Sequence, residues 1–342
     1  MSDHLPGGFL RFVIAGCLNQ DFVLPLSGHP QVDVLGGSLP FAAIGLQLWN
    51  ETSGLAARVD KDYPLDWLDR FKSLAFDLSG IKVVPGPIDS RRFLAHTDLN
   101  TSHTQNPVQQ FAARGLTFPS KLLGYQDRES RSISRTTPSQ QSLQISDIPD
   151  SYLEASAVHI CPIDFYSHLV LPAVFRQGQA STITLASVPG YMSPTYWEEI
   201  PGLLSDLTAF ITTENELRDL FQGRQTDLWK MAAELGKFGP EFIVVQSTSW
   251  GYCLFDVSNK KRWVVPNYQS NVVDPTGGGD AFAGGFLAGY RSTYDPLEAT
   301  LWGSIAASLV VEGSGVYYAL DAMPGLRDAR LLALRELVRE VT

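Results

Sequence analysis

Residues 271–290 contain the residue types and spacing with the clearest capacity for chemistry. The segment reads NVVDPTGGGDAFAGGFLAGY, in which a short β-branched run meets an Asp-Pro turn, three glycines, an acid and an Ala- and Gly-rich helical stretch. Successive glycines leave backbone N–H groups unobstructed, and a helix N-terminus favours negative charge, so Gly277, Gly278 and Gly279 are expected to bind an anion. Asp280 follows at once, where a substrate hydroxyl would lose its proton. The segment therefore predicts an anion site with a base beside it.

A simpler interpretation of the same segment is a strand-to-helix connection, with Asp280 only complementing the helix dipole. The added presence of Asp274 and Thr276 at fixed offsets, followed by Gly284-Gly285, favours the chemical interpretation. The loop is not a Walker A loop, because Lys-[Ser/Thr] is missing. It is not a G-x-G-x-x-G dinucleotide turn either, because an acid follows the last glycine.

The run DPTGGGDAFAGG resembles the C-terminal signature of the ribokinase/PfkB carbohydrate kinases, usually D-T-x-G-A-G-D-x-F. The resemblance implies that the three glycines form the anion hole for a transferring phosphoryl group and that Asp280 is the base that activates a hydroxyl. It also implies a monovalent cation such as K⁺ next to the nucleotide, with Asp274 as its candidate ligand and Thr276 beside the nucleotide.

The N-terminal part of the chain has a second resemblance to this family. A strand-like run at residues 9–15 is followed by Gly16 and, five residues later, by Asp21. Family members commonly carry G-x-x-x-x-D here, with the acid binding sugar hydroxyls. Asp21 is thus the candidate substrate acid, and the alternative is a solvated turn residue.

A glycine pair further along resembles the family's G-G-x-x-x-N-x-A turn, which lies under the substrate. The pair is Gly36-Gly37, and Phe41 occupies the position of the Asn. A polar contact to the substrate is thereby replaced by an aromatic face, which cannot supply a hydrogen bond. This departure predicts either an unusual substrate or a changed register in the loop.

The middle of the chain resembles two nucleotide-site motifs of the family. Glu216 fits the Glu of N-x-x-E, which acts on Mg²⁺ and phosphate through water, and Thr213 replaces the Asn. Gly251 fits the last glycine of V-V-T-x-G-x-x-G, near the nucleotide phosphates, whereas Thr248 replaces the earlier glycine. A side chain at this position narrows the backbone approach to the nucleotide.

A turn that follows a C-terminal helical segment completes the expected nucleotide site. Residues 296–311 are apolar and end at the sequence Glu-Gly-Ser-Gly, which includes Gly313 and Gly315 and is typical of a helix end. In kinases of this type, the corresponding region lines the adenine pocket.

The order of segments predicts the fold class. Strand-like and helical runs alternate, which is typical of a mostly parallel sheet covered on both faces. The resemblance specifies a ribokinase-like three-layer α/β/α fold, with residues 1–342 as a single catalytic domain. Ligands in such sheets bind beyond the carboxyl ends of the strands. The strand-like runs are residues 9–15, 157–161, 182–185, 209–212 and 242–246.

Two segments interrupt the alternation, residues 22–35 and 90–144, and the second is too long for an ordinary connection. The resemblance implies that they form a small β lid, which closes over the sugar site and often joins two subunits in a homodimer. A lid would exclude water, which competes with the substrate hydroxyl for the phosphoryl group. The alternative is a disordered insertion.

Composition excludes several other classes of protein. The chain has 342 residues, is 44% hydrophobic and carries a net charge of −10, which argues against a nucleic-acid partner. No apolar run approaches the roughly 20 residues of a membrane span, so no membrane association is expected. Three scattered cysteines are typical of reduced thiols, and a cytoplasmic location is expected.

The resulting expectation is an ATP- and Mg²⁺-dependent kinase that phosphorylates a hydroxyl of a sugar or sugar acid. A nucleoside kinase of the same fold is one alternative, because the Phe41 ring could stack on a base. The other is a family member that has lost efficient transfer and binds a metabolite instead.

Overall fold

The computed structural model describes residues 10–127 and 134–341. Its strands are β1 (Phe12–Ala15), β2 (Asn19–Leu24), β3 (Gln31–Gly36), β4 (Gly54–Asp60), β5 (Asp77–Val84), β6 (Arg91–His96), β7 (Ser102–His103), β8 (Ala157–Ile160), β9 (Thr182–Ala186), β10 (Ala209–Thr213), β11 (Phe242–Ser247), β12 (Gly251–Asp256), β13 (Arg262–Val265) and β14 (Arg339–Glu340). Its α-helices are α1 (Ser38–Gln47), α2 (Asp69–Ser73), α3 (Pro107–Ala113), α4 (Asp150–Leu153), α5 (Phe165–Gln177), α6 (Ile200–Leu204), α7 (Glu214–Phe221), α8 (Leu228–Gly236), α9 (Gly278–Thr293), α10 (Pro296–Val310) and α11 (Leu326–Arg335).

The large sheet has the strand order β14-β13-β12-β11-β10-β9-β8-β1-β4-β5. All pairs from β5 to β11 are parallel, whereas β12, β13 and β14 are added antiparallel at one edge. The predicted mostly parallel sheet is therefore confirmed. The strand predicted at residues 9–15 is observed as β1, Phe12–Ala15. Phe9 lies outside the described residues.

Both faces of this sheet are buried, as the alternation along β1 demonstrates. Phe12 and Ile14 belong to a core shared with α1, α9 and α10, whereas Val13 and Ala15 belong to a second core shared with α5, α7 and α8. Successive side chains of a strand point to opposite faces. The sheet is therefore the middle layer of a three-layer α/β/α fold.

The small sheet has the order β3-β2-β6-β7 and its own core. Phe22 and Leu24 of β2 pack there with Phe93 and Ala95 of β6, together with Phe111 of α3. The segments predicted to form a β lid contribute to this small sheet, and its closure over a substrate remains a prediction. The sheet already begins at β2, before the predicted residue 22, while residues 128–133 lie outside the described part.

The C-terminal end of the predicted lid segment requires correction. Arg58 donates from Nη1 to the Ser142 carbonyl at 3.0 Å, and the Ser142 hydroxyl donates to Asp164. Leu143 is buried in the second core of the large sheet. Residues around 142 therefore pack on the three-layer body and are not part of the small sheet.

Helices α1 and α9 approach closely enough to bring their first turns together. A β carbon at Gly284 would lie 1.9 Å from the Ala42 carbonyl oxygen, and one at Gly45 would lie 2.1 Å from that of Ala281. Only glycine allows this approach.

Among the described helices, none has both the length and the apolar character to span a bilayer.

Candidate active site

The loop before α9 is held from two directions by backbone hydrogen bonds. The amides of Leu26 and Ser27, in the β2–β3 hairpin of the small sheet, donate to the Val273 carbonyl at 3.1 and 3.3 Å. The amides of Val273 and Asp274 in turn donate to the Val311 carbonyl after α10, at 2.9 and 3.1 Å. The loop is thus tied to the small sheet and to the C-terminal turn at once.

The glycine loop enters α9 through a left-handed residue. Gly277 is the N-cap of α9 with φ of 79°, and a β carbon there would fall 2.2 Å from the Phe41 ring. The position requires glycine for both reasons. Phe41 itself is only 3% exposed beneath this loop. The expected stacking of Phe41 on a base is not supported by this packing, because the ring supports the glycine loop instead.

The amides at this helix N-terminus are partly used by the chain itself. Gly278 donates to the Pro275 carbonyl at 3.2 Å, which closes the turn. The expectation of three free glycine amides therefore requires correction at Gly278. Within residues 10–127 and 134–341, the amides of Gly277, Gly279 and Asp280 have no hydrogen-bond acceptor. Unpaired amides of this kind at a helix N-terminus favour an anion.

Asp280 lies in the first turn of α9, and its surroundings change its acidity. Burial raises the pKa of Asp280 to about 6, while the Arg92 guanidinium opposes this rise and the Asp21 carboxylate adds to it. A pKa near the working pH is what general-base catalysis favours. The sequence-predicted base therefore has suitable electrostatics.

Asp21 is almost fully enclosed, with 2% of the residue exposed. Its oxygens accept from Arg92, at 2.9 Å from Nε to Oδ1 and 2.5 Å from Nη2 to Oδ2. The carboxylate lies against Gly36, where a β carbon would fall 1.9 Å from Oδ2. Gly37 has φ of 101°. The glycine pair therefore leaves room for Asp21 and turns the chain into α1.

Arg92 was missed by the sequence analysis, although a signal for it exists. In β6, residues 93 and 95 pack into the core of the small sheet, so residues 92, 94 and 96 project from the opposite face. Arg92 is paired directly with Asp21 across the β2–β6 ladder. Once this segment is assigned as a strand, successive side chains point to opposite faces, which places Arg92 on the face opposite Phe93.

His96, on the same face of β6, was also missed. Its Nε2 lies 2.9 Å from the Thr276 hydroxyl and 3.7 Å from Asp274 Oδ1. Burial lowers the pKa of His96, the Asp274 carboxylate opposes this, and Arg92 contributes to the lowering. Asp274 is 2% exposed and accepts from the Thr276 amide at 3.0 Å. The small sheet thus contacts the loop that carries both predicted ligand residues.

Glu216 lies in the first turn of α7, three residues after the end of β10. Its Oε2 accepts from the Thr213 amide and hydroxyl at 2.9 and 2.8 Å, from Ser187 at 3.0 Å and from Thr212 at 3.3 Å. Thr213 Oγ1 accepts in return from the Glu216 amide, which completes a capping box. The described residues form no hydrogen bond to Oε1, so this oxygen remains for a water molecule.

Four of the predicted nucleotide-site residues lie in or next to two turns. Thr248 is exposed between β11 and β12, and Gly251 has φ of 88°, with space for a β carbon blocked by the Val265 carbonyl at 2.4 Å. Gly313 is packed beneath Tyr318, and Gly315 has φ of 88°. These three glycines are required by the chain geometry itself. Their contact with a nucleotide remains a prediction.

The structure brings residues from the two ends of the chain together. Asp21, Arg92 and Asp280 interact electrostatically with one another. Gly279 lies near Gln246 of β11, because a β carbon on Gly279 would be 3.4 Å from Gln246 Oε1. A three-layer fold with such an acid at a glycine-capped helix N-terminus, facing a small β sheet, defines a phosphotransferase.

The family of this phosphotransferase follows from its sequence. Residues 138–323 match the pfkB family carbohydrate kinases, and the chain belongs to this family. A cytidine kinase from Thermococcus kodakarensis is 28% identical over 294 residues, which cover 84% of this chain and 91% of the relative. A nucleoside kinase from Methanocaldococcus jannaschii is 48% identical over a shorter stretch of 74 residues, which covers 21% of this chain and 24% of the relative.

The ribokinase-like fold is confirmed by solved structures. A protein assigned as ribokinase II from E. coli, in complex with ATP and Mg²⁺, superposes with a TM-score of 0.69 at 14% identity. The superposition covers 95% of this chain and 99% of the other. At this level of identity the similarity concerns the fold alone.

Proposed function

We propose that this kinase transfers the γ-phosphoryl group of ATP to a hydroxyl of a sugar-like substrate, with Asp280 as the general base. The observation that supports this most directly is the position of Asp280 in the first turn of α9, next to amides without acceptors and with a pKa raised to about 6. The acid would accept the proton of the attacking hydroxyl, and the amides beside it would stabilise charge on the transferred phosphoryl group.

The anion cradle consists of the amides of Gly277, Gly279 and Asp280. They fit a phosphoryl group because amides at a helix N-terminus have no partner within the helix and favour an anion there. The Gly278 amide contributes to the shape of the turn and not to the cradle. Charge on the phosphoryl oxygens is stabilised by these donors and by the helix dipole.

The nucleotide side of the site is assigned to Glu216, Thr248, Gly251, Gly313 and Gly315. Mg²⁺ would neutralise charge on the nucleotide phosphates, and Glu216 Oε1 would hold one of its water ligands. This oxygen is suited to the role because the hydrogen bonds to Glu216 are made to Oε2.

A K⁺ ion is proposed at Asp274, with Thr276 beside it. Asp274 is a buried carboxylate, and a buried charge requires a counter-charge or several hydrogen bonds. Burial lowers the pKa of the nearby His96, which favours its neutral form and leaves that charge to be supplied by another group. A monovalent cation would do so, and turnover measured with K⁺, Na⁺ or a large organic cation as the sole monovalent cation tests this assignment.

A nucleoside is the first acceptor to test. The cytidine kinase from T. kodakarensis matches most of this chain, which favours a ribose hydroxyl within a nucleoside over a free sugar or sugar acid. The weak metabolite binder is disfavoured, because Asp280 and its amide cradle are intact. The lid is further proposed to join two copies of the chain, which light scattering of the purified protein tests.

The test of the proposed function is ATP consumption by the purified enzyme across ribonucleosides, pentoses, hexoses and sugar acids. We expect turnover with at least one nucleoside or sugar, and its loss in Asp280→Asn. Binding of a panel member without ATP consumption would support the metabolite binder and contradict the kinase assignment.

A further inference from the structure

We propose that Arg92 is the lid residue that contacts the acceptor substrate and determines its specificity, and that Asp21 positions Arg92. This inference rests on the proposed function, since it assigns a role within the acceptor site of that reaction. It reverses the expectation that Asp21 itself is the main contact.

The hydrogen bonds of Arg92 leave one edge of its guanidinium open. Nε and Nη2 donate to the two oxygens of Asp21, whereas Nη1 has no acceptor among residues 10–127 and 134–341. The Arg92 side chain is 27% exposed, compared with 2% for that of Asp21. A guanidinium presents five N–H donors in a rigid fork, so fixing one edge aims the other. The accessible group of the pair is therefore Arg92.

The neighbouring residue Arg91 forms a matched pair that points elsewhere. Its Nε and Nη2 donate to the two oxygens of Asp89 at 2.8 and 3.0 Å, in the same side-on geometry. Its Nη1, however, donates to the carbonyls of Lys121 and Leu123 at 2.8 and 2.9 Å. The Nη1 group of Arg91 is thus already used by the turn at residues 120–123. The contrast shows that the open edge belongs to Arg92, on the face of β6 opposite the core of the small sheet.

The charges around Arg92 indicate what it would bind. Its guanidinium acts on both Asp21 and Asp280, so the three groups together carry one negative charge when Asp280 is ionised. A further carboxylate on the substrate would be repelled by this net charge. A neutral hydroxyl oxygen accepts the Nη1 donor without that penalty. The chemistry therefore favours a second hydroxyl of a sugar ring, distinct from the hydroxyl that Asp280 deprotonates.

The experiment combines variants of the full-length enzyme with deoxy analogues of its best substrate. Arg92→Gln, Arg92→Lys and Asp21→Asn are compared with the matched control Arg91→Gln, and thermal unfolding confirms that each variant folds. We measure kcat and KM for the acceptor and for ATP, first with the parent substrate and then with analogues that each lack one non-reacting hydroxyl.

Arg92→Gln is expected to raise the acceptor KM about tenfold to a hundredfold, the effect of losing a charged hydrogen bond, while the KM for ATP stays unchanged. The analogue that lacks the hydroxyl contacted by Arg92 should have the same KM with the unaltered enzyme and with Arg92→Gln. Arg92→Lys should not restore affinity, because an ammonium cannot hold Asp21 side-on and also reach the substrate. Arg91→Gln should keep the original KM.

Two results overturn the inference while leaving the proposed function intact. One is an acceptor KM that is unchanged in Arg92→Gln. The other is a deoxy analogue whose disadvantage disappears in Asp21→Asn but persists in Arg92→Gln, which would make Asp21 the contact. Absence of ATP consumption by the unaltered enzyme with every panel member would instead overturn the proposed function, and the Arg92 contact with it.

Discussion

The Phe41 ring lies directly beneath Gly277, so close that a β carbon on Gly277 would fall 2.2 Å from the ring. Phe41 lies in the first turn of α1, and Gly277 is the N-cap of α9. Because the two helices are joined at this point, the shape of the glycine loop depends on a side chain more than 200 residues earlier in the sequence. Four predictions concern this loop and its acid.

Gly277→Ala is expected to destabilise the protein. The residue has φ of 79°, which costs an L-residue about 1–2 kcal/mol, and the added methyl group must displace the buried Phe41 ring. The free energy of unfolding should fall by about 3 kcal/mol in total. Denaturant titration of the variant and the parent measures this difference, and equal midpoints would contradict the packing of Phe41 against the loop.

Gly279→Ala is expected to lose activity with little change in stability. This residue is exposed, has no positive φ, and its new methyl group would lie an ordinary 3.4 Å from Gln246 Oε1. Stability should therefore change by less than about 1 kcal/mol, because alanine is favoured in a helix. The methyl group would obstruct the approach to the amide cradle, and kcat should fall by about 10². Unchanged kcat would argue against a phosphoryl group at this position.

Asp280→Asn is expected to lose activity and gain stability. Loss of a general base lowers turnover by about 10²–10⁴. Because the pKa of Asp280 in the folded protein is raised from 3.8 to about 6, folding favours its protonated form, and the loss of stability from ionisation develops as pH rises above 3.8 and is complete above about pH 6. Removing that charge should add about 3 kcal/mol at pH 8 and little below pH 3.8. Thermal unfolding at several pH values checks the gain.

The pH dependence of kcat/KM should show an acid limb near pH 6. Asp280 must be deprotonated to accept a proton, so the rate should rise up to about pH 6 and then level off. Since Arg92 lowers the pKa of Asp280 and Asp21 raises it, the limb should move to higher pH in Arg92→Gln and to lower pH in Asp21→Asn. A limb at the same pH in all three enzymes would exclude Asp280 as its source.

The sequence predicted the fold well because its signals are local and repeated. The alternation of strands and helices follows from patterns within each segment, and both faces of strands such as Phe12–Ala15 are apolar. The glycine loop was also predictable, since consecutive glycines before an acid restrict the structures that the chain can form.

The parts that could not be predicted depend on contacts between distant residues. Arg92 was missed because its partner, Asp21, lies 71 positions away and becomes its neighbour only in the β2–β6 ladder. Phe41 was assigned to the substrate site because the sequence does not show that its ring is buried beneath Gly277 in the folded chain. The use of the Gly278 amide by Pro275 depends on the type of turn, which a run of three glycines leaves undetermined.

The hydrogen bonds of Val273 would link the binding of the acceptor substrate to the binding of ATP. Its carbonyl holds the β2–β3 hairpin through Leu26 and Ser27, while its amide holds the Val311 turn. A molecule that orders the hairpin must therefore also restrict the segment leading into α9, and a molecule bound at α9 must restrict the hairpin. Such mutual restriction is a coupling free energy, and it is reciprocal: each ligand would tighten the binding of the other by the same factor.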